Sequence, residues 1–120
     1  MKNVLVVDDN KALLETLFEH LSSTLEGYNV LTAESGNSAI EILESGPVSL
    51  IMTDLAMPDG DGYGLLAYAK KKYPSVPIII MSTTLPLDLS ASAHKTDRVR
   101  FLEKPFSVEE MDLMVMKSLG

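Results

Sequence analysis

LIMTDLAMPDGDG, Leu50 to Gly62, is the stretch from which the fold can be read. The largely apolar run from Val48 to Met52 leads straight into Asp54. A turn rich in Pro and Gly follows at once. A buried strand that ends on a carboxylate and then breaks holds one acid at the mouth of a sheet. Ligands of open α/β sheets gather there, outside the carboxyl ends of the strands.

The same grammar recurs along the chain. Asn3–Val7 is, from Val4 on, an unbroken apolar run rich in β-branched residues, as in a strand covered on both faces, and it stops on Asp8 and Asp9. Leu13, Leu14, Leu17, Phe18, Leu21 and Leu25 then recur at helical spacing, with a stop near Gly27. Tyr28–Ala33 reads as a second strand. Ser35 is an N-cap for a helix carrying Ala39, Ile40 and Leu43, which Gly46-Pro47 ends. Val48–Thr53 is the third strand. After a turn assigned to Gly60, Gly62 and Gly64, a helix carries Leu65, Leu66 and Ala69. Val76–Met81 is the fourth strand and Val99–Leu102 a short fifth. Ser107 opens the last helix with Glu110 in capping-box register.

Between Ser82 and Arg98 a fourth helix is expected, yet Leu85, Leu87, Leu89, Ala91 and Ala93 alternate with period two. Pro86, Ser90 and Ser92 are poor formers of a helix interior. A short or mobile helix is the expectation there. On the last helix, Val108, Met111, Val115 and Leu119 form one apolar face for the core. Leu113 points nearly opposite and Met116 to the side, the makings of a partner or dimer surface.

Strands alternating with helices of this length define an α/β fold, a doubly wound parallel sheet with helices on both faces. Right-handed crossovers leave only a few strand orders. The 120 residues read as one domain, 1–120, with no repeat, linker or low-complexity tract. Lys+Arg is 10 against 17 for Asp+Glu, a formal charge of −7. That field repels nucleic-acid phosphates, so no direct nucleic-acid binding is expected, and it attracts cations. Without Cys there is no disulfide framework, thiolate zinc site or Cys nucleophile. No apolar run approaches the roughly 18 residues of a membrane span. The apolar part of MKNVLVVDDN is too short for a signal peptide, and a cytoplasmic domain is expected.

Every remaining strand end is polar. The first ends on Asp8 and Asp9, the third on Asp54 and the fourth on Ser82; the fifth is followed by Lys104-Pro105. If the strands are parallel, these residues meet at one rim. Like charges ~4 Å apart repel by about 4 kcal/mol at an effective dielectric near 20. Protonation, the Lys104 ammonium or a bound cation must relieve that. Hard carboxylate oxygens suit Mg²⁺, and nothing soft is present to favour zinc. A carboxylate beside Mg²⁺ can attack phosphorus and form an aspartyl phosphate. Such transfer needs mostly positioning and charge neutralisation, tasks open to Lys104 and Ser82.

With these residues in order, the chain resembles the receiver domain of two-component response regulators over essentially its full length. The resemblance rests on VDD at Val7–Asp9, DLAMPDGDG at Asp54–Gly62, Ser82 after an apolar strand, and FLEKPF at Phe101–Phe106. It implies a flavodoxin-like (βα)5 three-layer sandwich with strand order 2-1-3-4-5. It implies that Asp54 accepts a phosphoryl group from a histidine kinase or phosphotransfer protein. It further implies that Asp8 or Asp9, with Asp54 and the backbone carbonyl of Ala56, holds Mg²⁺. Lys104 and Ser82 would bind the phosphoryl group, and Phe101 would be an aromatic switch turning inward behind Ser82. Such a domain is no enzyme in the usual sense: it catalyses only its own phosphorylation and dephosphorylation. It passes the signal to a downstream protein, or to a second copy of itself, by the surface of helix 4, strand 5 and helix 5.

The chain departs from that pattern in places. Thr83 stands where Ala or Gly is usual and is expected to crowd the site. Thr96-Asp97-Arg98 replaces the common Gly-Ala before the fifth strand. Phe101 lacks the hydroxyl of a Tyr switch. These differences keep open a receiver that no longer uses phosphate and serves as an interaction module. A phosphatase with an Asp nucleophile would carry a second acid two residues on, where Ala56 stands. No effector domain lies within these residues, so the chain reads as a stand-alone regulator or as a receiver of a longer protein. The glycines 60, 62 and 64 do not make a dinucleotide fingerprint. His20 and His94 have no partner at metal-ligand spacing and are expected to be solvated, and Met52 and Met81 to be core.

Overall fold

The computed structural model describes residues 2–57, 61–83 and 98–120. Its elements are β1 (Lys2–Val7), α1 (Lys11–Thr24), β2 (Tyr28–Ala33), α2 (Gly36–Ser45), β3 (Leu50–Asp54), α3 (Asp61–Lys72), β4 (Ile78–Ser82), β5 (Val99–Glu103) and a C-terminal helix, here α4 (Val108–Leu119). The strands form one sheet in the order β2-β1-β3-β4-β5, and every neighbouring pair is parallel. The expected architecture and strand order are therefore present. The doubtful stretch between Ser82 and Arg98 lies, apart from Thr83, outside the described residues, as does Gly60.

Alternation along the strands builds two cores. Leu5, Val7, Ile51, Ile78 and Ile80 face the layer that also holds Ala39 and Leu43 of α2 and Leu65, Leu66 and Ala69 of α3. Val4, Val6, Leu50, Met52, Ile79 and Met81 face the other way, onto Leu14, Leu17 and Leu21 of α1 and Met111 and Val115 of α4. A strand covered on both faces has no polar side to show, which is why β1, β3 and β4 read as continuous apolar runs. Burying one such side chain is worth about 1.5–3 kcal/mol. Met52 and Met81 are core, as expected.

Three helix starts are capped by side chains. Asn10 accepts from the Leu13 amide at the head of α1, and Ser35 from the Ser38 amide at the head of α2. Ser107 and Glu110 form a reciprocal capping box on α4. At the far end of α1, Gly27 turns the chain into β2 with φ of 81°, a left-handed conformation that glycine takes without strain.

Three expectations need correction. Gly62 and Gly64 are not turn residues but lie in the first turn of α3. A Cβ at Gly62 would stand 2.5 Å from the Leu55 carbonyl oxygen, so the glycine lets α3 approach the end of β3. Phe18 and Val108 share their helices' apolar spacing but are 43% and 46% exposed: Phe18 stands at the edge of the arc held by Leu14, Leu17 and Leu21, and Val108 is the first residue of its helix. His20 is not solvated alone: its Nε2 lies 2.9 and 3.1 Å from the two Asp112 carboxylate oxygens, tying α1 to α4.

Candidate functional site

Register carries the polar strand ends to one rim. Val7 pairs with Thr53, Asp54 with Met81, and Ser82 with Glu103. Asp8 and Lys104 each follow the last residue of their strand, so they emerge beside Asp54 and Ser82. The Lys104 amide donates to the Ser82 carbonyl at 2.8 Å, holding the start of the Lys104-Pro105 turn, whose peptide bond is cis, against β4.

The two central carboxylates are held alike. Asp8, 1% exposed, accepts from the Asn10 amide at Oδ1 (2.9 Å) and from Lys104 Nζ at Oδ2 (2.7 Å). Asp54, 8% exposed, accepts from the Ala56 amide at Oδ1 (3.0 Å) and from Lys104 Nζ at Oδ2 (3.2 Å). In each case a backbone N–H two residues on takes one oxygen and a shared ammonium takes the other. Buried carboxylates need such partners. Thr53, fully buried, donates its hydroxyl to the Asp54 carbonyl at 2.9 Å.

Burial alone would lower the Lys104 pKa. The hydrogen bond and charge of Asp8, and then those of Asp54, outweigh burial and raise it above the usual lysine value. Asp9 is exposed and completes the acidic group: one carboxylate oxygen each from Asp8, Asp9 and Asp54 lie within 4.8 Å of one another. Three carboxylates against one ammonium leave a formal excess of two negative charges. A divalent cation would cancel it, and an all-oxygen donor set is what Mg²⁺ prefers. The residues present therefore fit the ion that the sequence implied.

Sequence spacing thus picked out residues that the fold does bring together: Asp8, Asp9, Asp54, Lys104 and Ser82, the last nearly buried at the end of β4. Phe101 of β5 pairs with Ile80 of β4 and is half-buried against the core layer of α2 and α3. Thr83 and Ala56 are exposed. Asn10 went unread. It caps α1 with its side chain and orients Asp8 with its amide, and its type and place before Lys11 were the available signal. Gly62 was misread because close backbone approach leaves no mark in sequence other than the glycine itself.

This fold with an acid–lysine cluster at the carboxyl rim defines a class, and the comparisons agree. Residues 4–116 match the family model of the response regulator receiver domain, and the chain belongs to that family. It is similar to the DNA-binding transcriptional regulator NtrC of Proteus hauseri, 32% identical over 117 residues, 98% of this chain and 24% of that protein. The chain thus spans about a quarter of the length of the curated relatives it matches. Among solved structures, the response regulator TrrA of Thermotoga maritima in complex with Mg(2+)-BeF is 32% identical with a TM-score of 0.82, over 99% of this chain and 100% of that one. The beryllofluoride-activated NtrC4 receiver domain dimer is 33% identical with a TM-score of 0.83, over 99% of this chain and 97% of that one. No described helix is long and apolar enough to cross a membrane.

Proposed function

We propose that residues 1–120 act as one phosphoacceptor switch in a cytoplasmic two-component phosphorelay, with Asp54 as the acceptor. The donor is a phosphohistidine on a histidine kinase or phosphotransfer protein. A carboxylate oxygen of Asp54 forms a bond to phosphorus while the phosphorus–nitrogen bond to imidazole breaks; the leaving imidazole takes a proton from solvent. Asp8, Asp9, Asp54 and the Ala56 carbonyl are the residues that would hold Mg²⁺. Bound there, the ion supplies positive charge for the oxygens of the transferred group. Lys104 shifts from its carboxylate partners toward one phosphoryl oxygen, and the Ser82 hydroxyl donates to another. The chain acts on no other substrate.

The phosphoryl group adds a charge of about −1.5 to −2 and strong acceptor oxygens. It favours the state in which Ser82 and Lys104 close on it, shifting an existing equilibrium. Phe101, on the strand beside Ser82, follows by packing alone. The altered surface is that of β5 and α4, where Leu113 and Met116 are exposed at 63% and 67%, and it serves a downstream protein or a second copy.

The observation that carries this reading is the nearly buried Asp54 carboxylate sharing the Lys104 ammonium with Asp8. The test is labelling by a small-molecule acyl phosphate with Mg²⁺, read by intact mass. The wild-type chain gains one acid- and base-labile phosphoryl group that hydroxylamine removes, and Asp54→Asn gains none. Full labelling of Asp54→Asn would refute the assignment. A folded wild type that takes no label and shows no change at millimolar Mg²⁺ would favour a phosphate-independent interaction module.

A further inference from the structure

On the opposite edge of the sheet from β5, α1 and β2 enclose a groove of about 370 Å³. Leu14 forms its floor and the exposed Phe18 one wall. Glu15, Glu19 and Glu34 line its rim. Among the described residues, the sole basic side chain lining the groove, Lys11, lies 3.8 Å from Glu34. The α4–β5 face differs, since its acids Glu103 and Glu110 are interleaved with Arg100 and Lys117.

Helical spacing explains why Phe18 is left out of the core. Phe18 and His20 are two residues apart, about 200° round the helix. His20 faces Asp112 of α4, so Phe18 turns toward the β2 side, beyond the sheet's cover. Leu14 with Phe18, and Glu15 with Glu19, are each spaced i, i+4. They form an apolar ridge and a parallel acidic ridge, the pattern into which a second helix packs.

We propose that this groove docks a basic amphipathic helix of another protein. One of its apolar side chains would sit over Leu14 and Phe18, and its Lys or Arg side chains would face Glu15, Glu19 and Glu34. A second copy set groove to groove would bring glutamates against glutamates, with a formal charge of −7 on each side. An anionic lipid surface would be repelled in the same way. The groove stands on residues other than those around Asp54, so docking there does not depend on phosphoryl transfer.

The probe is a fluorescein-labelled peptide of about 18 residues, roughly five helical turns, with Leu on one face and Lys elsewhere. Titration should give salt-sensitive binding, with amide shifts gathered on Leu14 to Glu19 and Thr32 to Glu34. Phe18→Ser should weaken binding by on the order of tenfold or more, as for a buried aromatic anchor, in a chain whose unchanged circular dichroism shows that it is still folded. Leu113→Ser should bind as wild type does. Equal binding by Phe18→Ser, shifts centred on α4, equal binding of a peptide with Leu replaced by Gln, or no binding at millimolar peptide would each overturn the proposal.

Discussion

Lys104 Nζ lies 2.7 Å from Asp8 Oδ2 across 96 residues of chain, and the same ammonium reaches Asp54 Oδ2 at 3.2 Å. One flexible side chain thereby joins the ends of β1, β3 and β5. Its charge is what allows two carboxylates to be nearly buried side by side.

Lys104→Gln should therefore cost about 3 kcal/mol in metal-free buffer, the low end for breaking a buried pair, because the lysine is itself partly open to water. The sign of the pH dependence follows from its raised pKa. A cation whose folded pKa exceeds the unfolded 10.5 contributes its full stability below pH 10.5 and loses it as pH rises through the folded value. Between neutral pH and 10.5 the gap between wild type and Lys104→Gln in urea unfolding should stay level, and above 10.5 it should close. Groups that do not touch residue 104 cancel in the difference.

Gly62 is a packing residue by virtue of what it lacks. Gly62→Ala puts a methyl group 2.5 Å from the Leu55 carbonyl oxygen, and the neighbour is backbone that cannot swing aside. The higher helix propensity of Ala should not offset this. The expected loss is about 1–3 kcal/mol, measured by urea denaturation. Gly64→Ala, with nothing within 4 Å of its Cβ, should be neutral or stabilising.

Ser107 closes the capping box of α4, with its hydroxyl accepting from the Glu110 amide at 3.1 Å. Ser107→Ala should lower stability by about 1 kcal/mol, and Ser107→Asp should restore most of it. The site should be unaffected, so labelling of Asp54 in the Ala variant should proceed at the wild-type rate.

The strands and the rim were legible because both depend on local pattern. Short apolar runs such as Val4–Val7, rich in β-branched residues and stopped at once by polar ones, read as strands buried on two faces, and parallel strands of one sheet carry their last residues to one rim. Asp8, Asp54, Ser82 and Lys104 follow from that alone. What was not legible depends on how much of a helix its neighbours cover. Spacing set Phe18 on the stripe of Leu14 and Leu17 because it measures an arc on the helix and not the width of the sheet beneath it, and it put Val108 in the core because it does not say where along the helix that cover begins. The His20–Asp112 contact joins residues 92 apart on two helices, and nothing in either segment marks it. Gly62 looked like a turn because glycine has two uses, and sequence does not say which one applies.

Asp9 separates stability from function. It is exposed, unlike Asp8 and Asp54, yet its carboxylate belongs to a group with more negative charge than Lys104 offsets. In metal-free, low-salt buffer Asp9→Asn should raise stability by about 0.2–1 kcal/mol, the range for an exposed charge interaction. Added salt should screen the gain. Millimolar Mg²⁺ should reverse the order: an ion that binds only the folded chain stabilises it by RT ln(1 + [L]/Kd), and the variant has lost one of the proposed ligands. Thermal unfolding of both proteins along a Mg²⁺ titration should therefore cross. Curves that stay parallel would mean that Asp9 takes no part in holding the ion.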